Sequence, residues 1–514
     1  MNRDENLRRL ANHGAFDALV IGGGIIGAGC ARDLASRGLS VALVEAKDFG
    51  HGTTARSTRL IHGGLRYLEQ RDFGMVRESL GERERLLRLA PALVRPLQFV
   101  MPLYTGGRHN RTLLKVGMTL YDALSWDKSL PGHQTFDRAG ILDLEPGLSK
   151  DGLLGGATYY DAQVESPERL CWENVRSAAN DHGAVIANYA SVARLLRDKT
   201  GRVAGAEVTN ERTGETFPVV ARLTVNATGP WVEAALAKML GDTLAQPPHP
   251  ALLRRTKGAH LVVPQFTNHA VVLVAGADGR VFFVVPWRGL SIVGTTDTDF
   301  MGDPNEAAAD ENDVAYLQAE TRRHFPDAEE VETIFYAWAG VRALVRERSR
   351  TGMSESQVSR KDKIHDHAPE GVPGLISVLG GKITAYRAIA EQLGAVVVGK
   401  LGKGGASRAA LEPLGGADFG AGDAATQVAR AAQSEMAVTL GDALLRRTPL
   451  GFAPAQGLDR LDELAGAMAS ACGWDAARVQ TEKDAYVREI APMRRFSAAP
   501  SPPCPLPSEG RGSQ

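Results

Sequence analysis

Two rhythms of hydrophobic positions run through this chain. Short unbroken apolar runs, Ala18-Leu19-Val20-Ile21 and Val41-Ala42-Leu43-Val44 among them, have the length of strands buried on both faces. Between these two, Ile26, Cys30 and Leu34 recur every four residues, the spacing of one helix face. Phe16 to Ala46 thus predicts strand, turn, helix and second parallel strand. Pro167–Ala179 predicts a helix capped by Ser166 with proline at its first position. A β-meander is expected from Ala184 through Val208, and Leu223–Ala227 reads as a buried strand leading into the turn Thr228-Gly229-Pro230-Trp231. Several strands separated by Gly and Asp follow from Arg254 to Asp299, then an acidic helical stretch over Asp303–Phe325. Ile334–Val345 predicts a strand entering a turn at Gly340. Leu375–Arg387 predicts a strand, a Gly380-Gly381 turn and a helix from about Thr384. Residues 71–115 read as helical and basic, with Pro91, Pro96 and Pro102 breaking the helix into irregular structure. From about Leu411 the pattern is Ala/Gly-rich and helical, and Ser497–Gln514, rich in Pro, Ser and Gly, is expected to be disordered.

At 514 residues the chain is too long for one core, so two or three domains are expected. A formal net charge of −1 argues against a general nucleic-acid binder. Four cysteines without metal-ligand spacing or a C-x-x-C pair disfavour zinc ribbons and dithiol redox chemistry, so no metal is expected and free thiols suit a reducing cytoplasm. The polar N-terminus lacks the apolar core of a signal peptide, and no run of apolar residues is long enough to span a bilayer, so membrane contact would be peripheral.

The chemistry begins at Gly22, Gly24 and Gly27, in the G-x-G-x-x-G spacing after the first strand. The first glycine allows the tight turn, the second lets backbone N–H groups approach a pyrophosphate, and the third lets helix and strand pack closely. Glu45, at the tip of the second strand, can accept hydrogen bonds from a ribose. The loop after it supplies hydroxyls at Thr53, Thr54, Ser57 and Thr58, and His62-Gly63-Gly64 lets backbone approach a flat ring. Two more glycine turns on strand ends, one with Gly229, Pro230 and Trp231 and one with Gly381, Lys382, Ile383 and Thr384, complete a discontinuous cradle. Such a cradle suits FAD, whose flavin lies far from its adenine. Arg66, His260, Arg342, Arg360 and Lys382, with Thr295, Thr296 and Asp297, are the candidate reactive groups; converging cations suit a small phosphorylated or carboxylated substrate.

The segments STRLIHGGLRYLE (Ser57–Glu69), VNATGPW (Val225–Trp231), KGAH (Lys257–His260), VPWRGLSIVGTTD (Val285–Asp297), AGVRALV (Ala339–Val345) and LGGKITAYR (Leu379–Arg387) resemble the FAD-dependent glycerol-3-phosphate dehydrogenases of the quinone-reducing, aerobic type. MAVTLGDALLRRT (Met436–Thr448) resembles that family's helical C-terminal domain, although the region between Gly415 and Glu435 is shorter than usual. The resemblance implies an α/β fold: a Rossmann-like FAD-binding domain of the glutathione-reductase/D-amino-acid-oxidase type, a sheet-rich substrate domain and a helical C-terminal cap. The expected division is 15–95, 151–235 and 346–400 for the FAD-binding domain, 96–150 and 236–345 for the substrate domain, and 410–495 for the cap. It implies oxidation of sn-glycerol 3-phosphate to dihydroxyacetone phosphate, with electrons passing through FAD to a ubiquinone-type acceptor. By resemblance Arg66, Tyr67, Arg342, Arg360 and Lys382 form the substrate pocket, with Arg342 and Arg360 as phosphate clamps. His260, then His62, are candidates for proton handling, and Lys382 for stabilising reduced flavin. Ala343 and Lys361 replace the family's usual proline and acid. A homodimer on the cytoplasmic face of the inner membrane, attached to anionic lipid through the basic stretch 71–115, is the expected setting. An oxidase passing electrons to oxygen and a non-catalytic FAD-binding protein are the alternatives.

Overall fold

The structure, a computed structural model, describes residues 1–64, 68, 72–107, 111–241, 252–346 and 362–497. Arg66, Tyr67 and Arg360 lie outside the described residues, as does nearly all of the 497–514 tail.

The first sheet is built round the strand with which the opening pattern starts. β1 (Phe16–Ile21) pairs in parallel with β2 (Val41–Val44) on one side and β10 (Thr216–Asn226) on the other. β7 (Val185–Ala187) continues the parallel set beyond β2, β18 (Leu375–Leu379) continues it beyond β10, and β17 (Lys363–Asp366) adds an antiparallel edge. On one face Ala18 and Val20 pack with Leu34 of helix Ile25–Ser36, Val175 of helix Pro167–Asn180 and Leu393 of helix Tyr386–Leu401. On the other, Leu19 and Ile21 pack against Val192, Val208 and Val219 of a meander formed by β8 (Ala190–Arg197), β9 (Val203–Asn210) and β10. Both faces are therefore apolar, which is why these strands read as unbroken apolar runs. All the parallel strands end at one edge, and Gly22, Glu45, Ala227 and Gly380 emerge there together. In open α/β sheets that edge is where ligands bind.

The second sheet has ten strands. β3 (Leu60–Ile61), β6 (Leu153–Val164), β4 (Val94–Tyr104), β12 (Ala270–Val274), β13 (Val281–Trp287), β14 (Leu290–Gly294), β11 (Leu253–Pro264) and β15 (Thr298–Asp299) lie in that spatial order, with β5 (Gln134–Asp137) on β6 and β16 (Tyr336–Val345) on β11. Its members come from both sides of the expected boundaries at 95/96 and 150/151, since β3 and β6 join it from stretches expected to belong with the first sheet.

Three readings of local structure change. Residues 94–104 form a strand, not broken helix, despite Pro96 and Pro102. The pairing to β12 reaches only Phe99 and Val100, so the two prolines flank the one place where β4 needs donors on that side. Gly340 lies inside β16 rather than at a turn, opposite Gly258 of β11, and it is glycine for packing, since a Cβ there would stand 2.7 Å from Cβ of Arg56. The basic stretch is not one free cationic face: helix Phe73–Leu89 turns Arg83 inward onto Asp161 at 2.6 Å with both side chains buried, and Arg77 forks onto Asp127.

The C-terminal helices Ala424–Ser434, Leu461–Cys472 and Ala476–Ile490 share their own apolar cluster. The segment resembling the family's cap is helical only from Leu440 to Arg447, entered through a Thr439–Asp442 capping box. It is tied to the first sheet by charge. Asp48, in the loop after β2, is fully buried and receives Arg447 through both oxygens at 2.7 and 2.9 Å and Arg446 at 2.9 Å. Burial opposes its ionisation, but the two guanidiniums outweigh that and hold its carboxyl below the ordinary range. No helix among the described residues is long and apolar enough to cross a membrane.

Candidate active site

A cavity of about 620 Å³ runs from the strand ends of the first sheet to the face of the second. Gly22, Gly24 and Glu45 line it, followed by Thr53, Thr54, Ser57 and Thr58 of the loop, then His62. Gly229, Pro230 and Trp231 form a further wall, and Gly381, Lys382, Ile383 and Thr384 another; His260 and Arg342 project from the second sheet. The three glycine turns thus meet in one space. Gly27, Gly63 and Gly64 do not line it. A Cβ on Gly27 would stand 1.8 Å from the Gly22 carbonyl oxygen, so this glycine serves helix–strand packing. Gly63 faces the other way: its N–H donates to Tyr121 Oη at 3.1 Å, and a Cβ would meet Leu80 at 2.5 Å.

At the nucleotide end the helix Ile25–Ser36 starts at Gly24, which has no capping side chain. The loop supplies one instead, Thr54 Oγ1 accepting from the Ile25 N–H at 3.0 Å. The short turn Thr53–Arg56 is also pinned to the second sheet, where Thr53 Oγ1 donates to the Val341 carbonyl at 2.7 Å. Glu45 accepts from the Gly23 and Lys47 N–H groups at 2.6 and 2.8 Å; burial outweighs these bonds and raises its carboxyl above the usual value. Space for a cofactor is explicit at Gly229, where φ is +60° and a Cβ would meet nothing within 4 Å. A helix N-terminus for phosphates, an acid at the second strand tip and open glycine backbone at the Gly229 turn fit FAD.

At the other end the second sheet presents one face. Arg342 Nη1 donates to Asp297 Oδ1 at 2.8 Å and Nη2 to Thr295 Oγ1 at 3.0 Å, so the guanidinium is already oriented by two of the predicted neighbours. His260 is buried, with Nε2 2.8 Å from Thr58 Oγ1 and Nδ1 without a hydrogen-bond partner among the described residues. Burial first, then the charges of Arg342 and Arg59, bring its imidazole down to about 3, so it is neutral at ordinary pH. Lys382 Nζ donates to Ser79 Oγ of helix Phe73–Leu89, and the His62 N–H donates to Thr384 Oγ1 at 3.3 Å, which ties two of the cradle's turns together.

The structure adds residues that the sequence reading passed over. Arg56 lines the cavity between the loop and β16, and burial holds its guanidinium below its ordinary value. The available signal was an arginine set among the loop hydroxyls. Gly258 and Gly294 lie in the KGAH and SIVGTTD segments, but nothing local states their role: a Cβ on Gly258 would lie 2.3 Å from Arg342 Nη2, and one on Gly294 2.4 Å from the His260 ring. Both clear room for a functional side chain on a neighbouring strand, and only the pairing register reveals that.

Known proteins agree with this geometry. Residues 17–387 match the family model described as FAD dependent oxidoreductase, and residues 416–479 match the C-terminal domain of alpha-glycerophosphate oxidase. The chain is 40% identical over 413 residues to a glycerol-3-phosphate dehydrogenase of Synechocystis sp., covering 79% of this chain and 74% of that protein. It is 33% identical over 536 aligned positions to glycerol-3-phosphate dehydrogenase 2 of Mycobacterium tuberculosis, covering 92% and 88%. Among solved structures, the glycerol-3-phosphate dehydrogenase from Bacillus halodurans complexed with FAD superposes with a TM-score of 0.76 at 25% identity, over 96% of this chain and 97% of that one. The L-alpha-glycerophosphate oxidase of Mycoplasma pneumoniae, at 18% identity and a TM-score of 0.55, shares the fold. With this cavity, these matches and FAD as its cofactor, the chain belongs to the family of FAD-dependent glycerol-3-phosphate dehydrogenases.

Proposed function

We propose that this enzyme oxidises sn-glycerol 3-phosphate to dihydroxyacetone phosphate and delivers the electrons to a membrane quinone. The observation that carries the reading is the convergence of Arg342, His260 and Lys382 on the cavity that the three glycine turns share. FAD, when bound, supplies the two-electron acceptor that takes the C2 hydrogen as hydride. The chain's own residues do the rest. Arg342, fixed by Asp297 and Thr295, offers a planar fork to the substrate phosphate. His260, neutral and on the cavity wall, accepts the proton of the C2 hydroxyl as the carbonyl forms. Its low proton affinity comes partly from Arg342, and a phosphate dianion docked on that guanidinium offsets this charge, so substrate binding itself strengthens the base. His62, on the cavity wall, is the second candidate for the proton. Lys382, on the cavity wall, would supply positive charge to stabilise the reduced, anionic form of the cofactor.

The test is anaerobic. Glycerol 3-phosphate, but not glycerol, is expected to bleach the flavin band, and Arg342→Ala to raise KM for glycerol 3-phosphate at least about tenfold, or 1.4 kcal/mol. An unchanged KM would remove Arg342 as the clamp.

The acceptor is assigned to a quinone at a lipid surface, with the chain attached peripherally to the cytoplasmic face. The support is helix Arg111–Leu124, whose Leu113 and Val116 are 52% and 59% exposed beside Trp126 at 77%, with Lys115 between them. Exposed apolar and aromatic side chains interleaved with cations suit the bilayer interface. Flotation with anionic liposomes tests it, and a protein left in the soluble fraction at low salt counts against it. The C-terminal match to an oxidase domain keeps oxygen as the rival acceptor, and peroxide release measured against quinone-dye reduction separates the two. The homodimer is read by light scattering.

A further inference from the structure

On the far edge of the first sheet, a cluster of titratable groups has no part in the reaction. β17 ends at His365-Asp366, and His367, the next residue, keeps its N–H on the Leu375 carbonyl of β18 at 3.1 Å. The short turn Ala368–Glu370 follows, and Gly371 at φ +81° swings the chain back so that Glu370 comes over both imidazoles. Glu370 Oε1 lies 2.8 Å from His365 Nε2, and Oε2 lies 2.7 Å from His367 Nδ1. The two rings stand nearly perpendicular with centroids 4.6 Å apart.

We propose that His365 Nε2, His367 Nδ1 and the Glu370 carboxylate form a binding site for a zinc-type divalent cation. Three observations support it. The ligand atoms all lie within 4.8 Å of one another. A tetrahedral zinc with bonds of about 2.0–2.1 Å needs separations of about 3.4 Å, which small side-chain rotations supply. Two imidazoles and one carboxylate are the ligand chemistry zinc takes, with a fourth position for water, and Glu370, whose side chain is 40% exposed, leaves an approach from solvent. The supporting shell is in place: the other nitrogen of His367, Nε2, sits 2.8 Å from Ser377 Oγ on β18, a contact that fixes ring orientation and leaves Nδ1 for the metal. Asp366, within the motif, is engaged with Lys400 at 2.6 Å and does not compete for the cation.

Bound there, the cation fastens β17 and its turn to β18 through Ser377, and β18 is the strand that delivers Gly380, Gly381 and Lys382. The site is independent of which substrate the cavity takes.

The test uses the full-chain holoenzyme after chelator treatment and dialysis, titrated calorimetrically with zinc chloride beside His365→Ala and Glu370→Gln. Wild type is expected to take up one more equivalent than either variant, with at least a tenfold loss of affinity at that equivalent. Cobalt(II) is expected to give d–d bands to the red of the flavin absorption in wild type and not in Glu370→Gln. Equal zinc uptake by wild type and both variants, or no uptake by wild type, overturns the proposal. Should His365→Ala fail to fold, the half-exposed Glu370→Gln decides alone.

Discussion

Replacing Gly258 with alanine tests the catalytic face without touching a reacting group. Its φ lies outside the left-handed region, so alanine is accepted by the backbone and the perturbation is purely steric. The added Cβ would sit 2.3 Å from Arg342 Nη2 and 2.5 Å from Thr295 Oγ1, whereas ordinary contact begins near 3.4 Å. The guanidinium must therefore retreat by roughly 1 Å from a position set by Asp297 and Thr295. A misplacement of about 1 Å costs on the order of 10²-fold in rate, or about 2.7 kcal/mol of transition-state stabilisation. Overpacking in the sheet costs about 1–3 kcal/mol of stability, and the fold absorbs it. Steady-state dye reduction at varied glycerol 3-phosphate is expected to show kcat/KM down about a hundredfold, with flavin content unchanged. If Gly258→Ala keeps kcat/KM within threefold of wild type while an anaerobic substrate titration shows normal binding, Arg342 does not need its present position and the clamp is elsewhere.

Other changes have equally definite outcomes. Gly27→Ala, whose Cβ would stand 1.8 Å from the Gly22 oxygen, is expected to abolish FAD retention on purification, read from the ratio of flavin to protein absorbance. Lys382→Met is expected to slow anaerobic flavin bleaching by about 10²–10³-fold in stopped flow, the usual cost of removing a charge that stabilises a developing anion. Arg447→Met leaves buried Asp48 with one guanidinium fewer and is expected to cost about 3–5 kcal/mol by denaturant unfolding; retained stability would mean that the charged tie to the C-terminal helices is dispensable. His260 titrates near 3 in the fold and near its ordinary value when unfolded, so between these values the unfolded chain binds the extra proton. Stability therefore rises with pH across that window and is lost as pH falls, with a slope of about 1.4 kcal/mol per pH unit for this one group. His260→Gln is expected to remove that share in pH-dependent unfolding, while His51, also lowered to about 3, continues to contribute.

The legible parts of the fold were those whose signal is local. The apolar run of β1, the four-residue recurrence of Ile26, Cys30 and Leu34, and the Ser166–Pro167 helix start each state their structure within a few residues, and the structure follows them. The three glycine turns were legible for the same reason, since a turn at a strand end announces itself. What failed needed a partner. β4 reads as broken helix because its prolines are tolerated only by virtue of which neighbour pairs where. Arg83 reads as surface charge until Asp161, on β6, takes it inside. The tie between Asp48 and the Arg446-Arg447 pair joins residues nearly 400 positions apart, and nothing in either segment points to the other.

The catalytic face itself shows why glycine was only half read. Gly258 of β11 pairs with Gly340 of β16, and His260 of β11 pairs with Gly294 of β14, so all three glycines share one face with His260 and Arg342. Each missing Cβ is filled by something functional: the Arg342 guanidinium over Gly258, the His260 ring over Gly294, and the backbone and Cβ of Arg56 over Gly340. A sheet face carrying ordinary side chains would hold the loop and the guanidinium a full side-chain layer farther out. Here the loop that caps the helix N-terminus at Thr54 and the strand that carries Arg342 come into direct contact, joined by the Thr53–Val341 hydrogen bond. The nucleotide end and the reactive end of the cavity are thereby one rigid assembly, and the distance between them is set by backbone. A glycine inside a strand is unfavourable for the strand alone, and three of them on one face mark where other groups must lie close against the sheet.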